Sequence, residues 1–399
     1  MLIDAIILAC GLAAAGLLLW PRLAGARLWR ATVTPLASII GSGFLVLGPV
    51  LEHSYGLYAP LVMALLCLAA YAFGDSIRFN ITRRMDGAGQ RSPAEDRLEA
   101  LASWSLAFAY VISVAYYLNL VGAFAVNLTP YAGDFAGRVV TTAVFGVILA
   151  TGWTKGFHAL ERMEQVSVGI KLAIIAAMLA GLAFYFAQKL GDGGLVIDPP
   201  TLTGWPAVQL AFGLIVTVQG FETARYLGAE YDAPTRRAAM RIAQLLSTAI
   251  YLVYIGLIAY LFAPGEAQLS ETAIIDMMRA VAPVLPLLLV VAALAAQFSA
   301  AVADTGGAGG LVAELTGGRV TVRGAYAALV AAGVTLTWAS DIFALIAYAS
   351  RAFALYYTLQ AAIAAVAAHR HGASPPRAAA YGALALLGLA MAIFGTPVE

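Results

Sequence analysis

Apolar stretches of about 17 to 25 residues, separated by short polar connections, recur along the whole chain of 399 residues. Each stretch is long enough to cross a hydrocarbon core of about 30 Å. Because 62% of the residues are hydrophobic and 11% are charged, such segments can be solvated only by lipid or by one another. The pattern predicts an all-α polytopic membrane protein without a soluble domain. We predict about twelve spans, at roughly residues 2–20, 32–51, 57–79, 101–128, 138–154, 165–187, 207–228, 241–263, 284–303, 324–340, 342–367 and 379–396.

The basic residues are distributed unevenly between the connections. Short cytoplasmic loops retain Lys and Arg, whereas translocated loops are depleted of them. Alternate connections contain 17 of the 23 basic residues, beginning with the cluster at residues 22–30, whereas the intervening ones contain only Arg138, Lys189 and Arg279. We therefore predict an integral protein of a prokaryotic inner (plasma) membrane with both termini outside.

The apolar run PLASIIGSGFLVLGP, from Pro35 to Pro49, carries Gly41, Ser42 and Gly43 at its centre. Glycines at mid-span weaken the helical hydrogen-bond ladder, and unpaired backbone groups at that depth are tolerated only beside protein or a water-filled cavity. One interpretation is an unwound segment that binds a solute. The other is simple close packing against a neighbouring helix. We favour the unwound segment.

A second interruption is predicted near Gly220, where the seventh span also contains Gln219, Glu222 and Arg225. Ionisable groups at such depth are costly and are usually paired or functional. Because Glu222 and Arg225 are three residues apart on one helical face, a local ion pair is the simpler alternative. Five spans counted from residue 32 and five counted from residue 207 begin in opposite orientations. This is the outline of an inverted repeat in which a broken helix opens each half.

Three segments carry a resemblance to a known family. IIGSGFLV is similar to the first core helix of the amino acid-polyamine-organocation (APC) transporter superfamily, whose members have the leucine-transporter fold. GFETARYLGAEYDAPTRRAAMRIA is similar to its sixth core helix, and EQVSVGIKLAIIAAMLAGLAF to its fifth. The resemblance implies a 5+5 inverted repeat at residues 31–188 and 207–370. An additional helix and a cytoplasmic linker at 1–30 would precede it, and another helix at 377–399 would follow.

The resemblance also implies solute-binding residues at the two interruptions. Helix N-termini attract anions, whereas unwound carbonyl groups attract cations, so a zwitterion suits both. An amino acid's carboxylate is expected on Ser42 and on the backbone of Gly41 and Gly43. Its ammonium group is expected on carbonyls at Ile39, Ile40, Gln219, Gly220 and Phe221. Tyr116 in the fourth span would cap the site. The alternative is that Tyr116 and the adjacent Tyr117 only pack between helices, which is equally typical of an aromatic pair.

Lys171 lies about seven residues into its span, and two interpretations remain open for it. Its ammonium group extends to the membrane surface, or it is buried and exchanges a proton, since burial disfavours the charged form. The resemblance implies that a lysine of this helix replaces the second sodium site in proton-coupled relatives. Ser299 matches the region that helps form that site in sodium-coupled relatives. We therefore expect proton coupling or exchange, with Glu222 as a further coupling residue.

Arg351 lies near the middle of the eleventh span, where an unpaired guanidinium group is expensive. We predict an ion pair with Glu222, and the alternative is contact with an acidic solute. Arg225 has the same two alternatives.

The leading functional hypothesis is a secondary transporter that moves an amino acid or a related small organic cation by alternating access. Its expected partners are that solute, protons and the lipid bilayer. We expect no cofactor, metal centre, nucleic acid or enzymatic activity, because no paired carboxylates and no His/Cys set are placed for catalysis. Two alternatives remain open: an inorganic-ion transporter or channel-like protein on the same fold, and a membrane sensor or subunit that does not transport.

Overall fold

The computed structural model describes residues 2–41, 43–86, 92–127, 129–131, 133–154, 157–227, 231–262, 270, 272–370 and 374–397. Every regular element within these ranges is helical, which confirms the all-α class. The helices are α1 (Leu2–Leu18), α2 (Pro21–Ala24), α3 (Arg27–Ile39), α4 (Phe44–Tyr55), α5 (Ala59–Asp86), α6 (Pro93–Asn127), α7 (Asp134–Thr154), α8 (Phe157–Gly191), α9 (Gly204–Gly213), α10 (Thr223–Tyr226), α11 (Ala233–Ile258), α12 (Ala273–Val281), α13 (Leu285–Leu315), α14 (Val322–Ala339), α15 (Ile342–Arg370) and α16 (Pro375–Phe394). The described chain also contains short 3₁₀ segments at Gly56–Tyr58 and Ile215–Val218.

Nine helical segments of the described chain are long and apolar enough to cross a membrane. One of them, Phe44–Arg83, joins α4 to α5 through a 3₁₀ turn. Three predicted spans have no such segment of their own. The first contains α1, which is 17 residues long. The other two, at 32–51 and 207–228, are the spans with predicted interruptions, and their helices are broken at those places.

The centre of the bundle is α6, which packs along α13 and α15. Its most apolar window is 83% buried, whereas that of α16 is 17% buried. Helices at the edge therefore expose apolar side chains in a protein whose surrounding solvent is lipid.

Small residues bring α1 close to α8. A Cβ atom added at Gly11 of α1 would lie 3.2 Å from the Cβ of Ala177 on α8, and one at Gly181 would lie 2.9 Å from Ile7. Such close approach is the usual role of glycine between membrane helices.

Polar side chains define two helix starts outside the apolar spans. Asp232 accepts a hydrogen bond from Thr235 N at 2.8 Å and caps α11, and Thr321 accepts one from Gly324 N at 3.1 Å and caps α14. Hydrogen bonding from Thr235 lowers the pKa of the Asp232 carboxyl. Arg27 lies 3.7 Å from the same carboxylate, so this cap also joins the start of α3 to that of α11.

The C-terminal segment, residues 395–397, returns to the bundle and lies against α9. Thr396 N donates to the carbonyl of Gln209 at 3.1 Å. The carbonyl oxygen of Thr396 lies 1.9 Å from the position that a Cβ atom at Gly213 would occupy, so only glycine fits there. This segment thereby contacts the C-terminal end of α9.

Candidate functional site

The first helix break separates α3 from α4 at the predicted glycine pair. Ile40 leaves helical geometry with φ −87° and ψ 37°, and Gly41 N donates to Ser38 O at 3.2 Å. The regular partner of that N–H would be Ala37 O, so the Ala37 carbonyl is released from the helical ladder. Ser42, the predicted centre of this segment, lies outside the described residues.

Lys171 of α8 binds the released carbonyl. Its Nζ donates to Ala37 O at 2.6 Å, and its side chain has an exposed fraction of 0%. The interpretation in which this lysine extends to the membrane surface is therefore wrong. The C-terminal end of a helix carries partial negative charge, so the ammonium group lies where the dipole of α3 stabilises a cation.

The second break is longer and extends from the end of α9 to the start of α10. A 3₁₀ segment, Ile215–Val218, is followed by extended backbone at Gln219 and by Gly220 with φ 113°, a conformation that favours glycine. The Gly220 N–H donates to Glu222 Oε2 at 3.0 Å, and the Tyr357 hydroxyl of α15 donates to the same oxygen at 2.9 Å. The Glu222 side chain is completely buried.

The two breaks touch each other. A Cβ atom at Gly220 would lie 2.6 Å from Ile39 N, and one at Gly43 would lie 2.4 Å from the Cβ of Thr217. The Tyr251 hydroxyl of α11 lies 3.0 Å from Ile39 O and 2.6 Å from Thr217 O, one carbonyl from each break. The structure therefore brings together backbone groups that the sequence assigned to one solute site.

α13 closes the other side of the first break. A Cβ atom at Gly41 would lie 3.1 Å from the Cβ of Ala300. The adjacent Ser299 is buried and donates to Ala296 O of its own helix at 2.9 Å. The predicted coupling residue Ser299 thus lies next to the residue that packs on the break.

Three buried oxygen atoms at the breaks have no hydrogen-bond partner among the described residues: Ser38 Oγ, Gln219 Oε1 and Glu222 Oε1. Gln219 is fixed through its other amide atom, since Nε2 donates to the Tyr117 hydroxyl of α6 at 2.6 Å. Leaving a buried polar atom unpaired typically costs about 1–3 kcal/mol. All three oxygens can accept hydrogen bonds from a solute that carries N–H groups.

Aromatic rings line both breaks. The Phe221 ring stacks on Tyr357 with centroids 5.1 Å apart, and the Phe44 ring stacks on Tyr254 with centroids 4.4 Å apart. Tyr116 is completely buried with its ring 5.4 Å from that of Tyr117. Of this α6 pair, Tyr117 makes the hydrogen bond to the second break.

The predicted ion pair between Arg351 and Glu222 is wrong. The exposed side chain of Arg351 donates through Nε and Nη2 to the carbonyl of Gly395, at 3.0 and 2.7 Å. Glu222 instead accepts a hydrogen bond from Tyr357, which lies on α15, the helix that also carries Arg351. Six residues along an α-helix turn through about 600°, so Arg351 and Tyr357 point to different sides of α15.

The local pair between Glu222 and Arg225 is also wrong. Arg225 forms its ion pair with Glu99 of α6 and donates to the side chain of Gln360 on α15. Both arginine contacts therefore connect α10 to the central helices at the basic-residue-rich side of the bundle. Arg225 was a candidate for an ion pair, and the structure supplies Glu99 as its partner.

Sequence reasoning missed the tyrosines of α11 and α15 that hold the breaks. The missed residues are Tyr251, Tyr254 and Tyr357, all completely buried. A signal was available, because tyrosine hydroxyls deep in an apolar span require hydrogen-bond partners.

Comparison with known proteins supplies two matches. A family model described as an APC superfamily transporter matches residues 21–395, a range that includes both breaks and Lys171. An uncharacterized protein of Aquifex aeolicus (strain VF5) is 42% identical to this chain over 350 residues, which cover 86% of this chain and 85% of that protein.

Proposed function

This chain belongs to the APC superfamily of transporters, and on that premise we propose that it moves an amino acid or a related small organic cation by alternating access, in a proton-coupled or exchange mode. Membership of the family makes it an integral membrane transporter of a small solute. The substrate class, the coupling ion and the mechanism are the proposal.

The chemistry of the two breaks supports a zwitterionic or cationic solute. Ser38 Oγ, Gln219 Oε1 and Glu222 Oε1 are buried acceptors suited to an ammonium group. The N-terminus of α4, which begins after Gly43 without a side-chain cap, presents N–H groups suited to a carboxylate. An amino acid provides both complementary groups.

Close contact between the breaks supports alternating access. Gly43 lies against Thr217, and Gly220 lies against Ile39, so a solute reaches the buried acceptors only when these segments separate. We propose that the two predicted repeats, residues 31–188 and 207–370, move relative to each other in this step.

The single observation that carries the coupling proposal is the bond from Lys171 Nζ to Ala37 O at 2.6 Å. A hydrogen bond from a charged donor is roughly twice as strong as one between neutral groups. Loss of the lysine proton would therefore weaken the hold of α8 on the end of α3 and favour movement at the first break. Glu222 is a second proton acceptor, located at the second break.

Uptake into proteoliposomes tests this function. With an inward proton gradient, we expect the wild-type protein to accumulate a radiolabelled amino acid and a protonophore to abolish that accumulation. Lys171→Met keeps the length of the side chain and removes its charge. We expect this variant to bind the solute but to lose the dependence of uptake on the proton gradient.

Lys189→Met is the matched control, because Lys189 lies on the same helix, near its end, over the ring of Tyr185. This variant should retain coupled uptake. Full proton dependence in Lys171→Met would remove the lysine from the mechanism. A flux carried by an inorganic cation, without uptake of any organic solute, would contradict the proposed substrate class.

A further inference from the structure

A cavity of about 440 Å³ lies between α1, the start of α3 and the first half of α8. Its walls are mostly apolar and include Leu18, Val33 and Leu172, with Trp29 and Arg30 as the larger side chains of α3. Ile170 and Val166 at its edge are exposed, so the cavity opens toward the lipid. It is separate from the helix breaks, since Lys171 points away from it toward Ala37.

Arg30 supplies a positive charge at this apolar cavity. The structure gives it no ion pair among the described residues, whereas the neighbouring Arg27 lies 3.7 Å from Asp232. The chain contains no acidic residue between Asp4 and Glu52, so nothing on α2, α3 or most of α1 neutralises this charge. The arginine distribution predicts that this side faces the cytoplasm, the leaflet in which anionic lipids attract basic residues.

An apolar cavity next to a guanidinium group matches a ligand with an apolar chain and an anionic head. A phosphodiester binds arginine through two parallel hydrogen bonds, and an acyl chain suits walls of leucine, valine and isoleucine. A free phosphate ion has no apolar group that could pack against the apolar walls. A choline headgroup would place a second cation near Arg30.

We propose that this cavity binds one anionic phospholipid, with an acyl chain between α1, α3 and α8 and the phosphate on Arg30. The bound lipid connects α1 and α3 to the part of α8 that carries Lys171. Because it binds the folded protein, it raises apparent stability by mass action. The proposal does not depend on which solute is transported.

Lipid titration of the purified full-length chain in neutral detergent tests the proposal. The probes are dioleoylphosphatidylglycerol, dioleoylphosphatidylcholine with identical acyl chains, and inorganic phosphate. The readouts are the apparent unfolding temperature and the number of lipids retained in native mass spectrometry. We expect one tightly held phosphatidylglycerol, about fivefold weaker binding of phosphatidylcholine, and no effect of phosphate, because one arginine near an anionic headgroup contributes about 1 kcal/mol.

Two variants separate the headgroup contact from the chain contact. Arg30→Gln should weaken phosphatidylglycerol binding about fivefold and leave phosphatidylcholine binding unchanged, whereas Arg30→Lys should retain most of the affinity. Arg22→Gln is the control, since Arg22 lies over the Trp20 ring and does not line the cavity.

Gly169→Leu fills the cavity from α8, where an added Cβ atom meets no atom within 4 Å. It should weaken the binding of both lipids. Gly146→Leu on α7, where the space is equally open, should weaken neither. Equal affinity for the two lipids, an equal effect of free phosphate, or unchanged phosphatidylglycerol binding in both Arg30→Gln and Gly169→Leu would overturn the proposal.

Discussion

The two helix breaks differ in the side chains that stabilise them. Backbone groups released inside a membrane need partners from elsewhere in the protein. At the short first break, one cation, Lys171, binds the Ala37 carbonyl at the end of α3. At the longer second break, Glu222 accepts hydrogen bonds from the backbone N–H of Gly220 and from Tyr357 of α15. Gln219 donates a hydrogen bond to a tyrosine of α6.

This difference separates the proposed roles of the two breaks. A contact that depends on one ionisable side chain changes when that side chain gains or loses a proton. A network of buried hydrogen bonds that involves several helices makes the site rigid and presents buried acceptors in fixed positions. The first break therefore suits coupling through Lys171 as well as contact with the solute. The second break, which holds Glu222 as a further coupling residue, contributes two of the three buried acceptors proposed for the solute.

Gly220→Ala should have the largest effect of any single substitution at the breaks. The new Cβ atom would combine a strained φ of 113° with an approach of 2.6 Å to Ile39 N. We expect a loss of about 4 kcal/mol in the free energy of unfolding and no detectable uptake. Thermal unfolding and proteoliposome uptake measure the two effects.

Gly146→Ala is the control for this substitution, since its Cβ atom would enter open space on α7. It should be neutral or stabilising by up to about 1 kcal/mol. Wild-type stability and uptake in Gly220→Ala would show that the close contact between the breaks is not needed.

Arg225→Gln should have the next largest effect, because it removes the guanidinium group that pairs with the Glu99 carboxylate beside the second break. We expect a destabilisation of about 3 kcal/mol. A double-mutant cycle with Glu99→Gln isolates the pair, and we expect the double variant to be more stable than the sum of the two single effects predicts. Additive effects would mean that the pair does not hold α10.

Tyr251→Phe tests the hydroxyl that contacts both breaks. Its removal leaves the carbonyls of Ile39 and Thr217 without that donor, and we expect a loss of about 2 kcal/mol together with slower uptake. Tyr254→Phe is the matched control on the same helix, because that hydroxyl lies 3.3 Å from one carbonyl of α4. Equal effects of the two substitutions would contradict a special role for Tyr251.

Arg351→Gln should have the smallest effect. The side chain binds Gly395 O at the C-terminal segment, and losing those hydrogen bonds should cost about 1 kcal/mol without changing the KM for the solute. An increase in KM, measured in the uptake assay, would indicate that Arg351 contacts the solute.

Features encoded locally could be predicted from the sequence. The glycines at 41 and 43 indicated the first interruption, and the depth of Lys171 in its span indicated a buried amine as one of two interpretations. The partners of Arg225 and Glu222 could not be predicted in this way. They lie 126 and 135 residues away in sequence, at Glu99 and Tyr357, and their approach depends on which helices pack together.

The partner of Arg351 also could not be predicted from the sequence. Its depth in the predicted span suggested an ion pair with Glu222, but hydropathy does not say which side of α15 faces the site. The rotation of that helix places the guanidinium group against the C-terminal segment and the tyrosine against Glu222.

The most direct test of the central claim, that both breaks form one solute site, is ligand-dependent thermal stabilisation. The unfolding temperature of the wild-type protein, of Ser38→Ala and of Gln219→Leu is measured against amino acids, polyamines and simple cations. Ser38 represents the first break and Gln219 the second. We expect one amino-acid class to stabilise the wild type and each substitution to reduce that shift. Stabilisation by an inorganic ion alone, or an unchanged shift in either variant, would contradict the account.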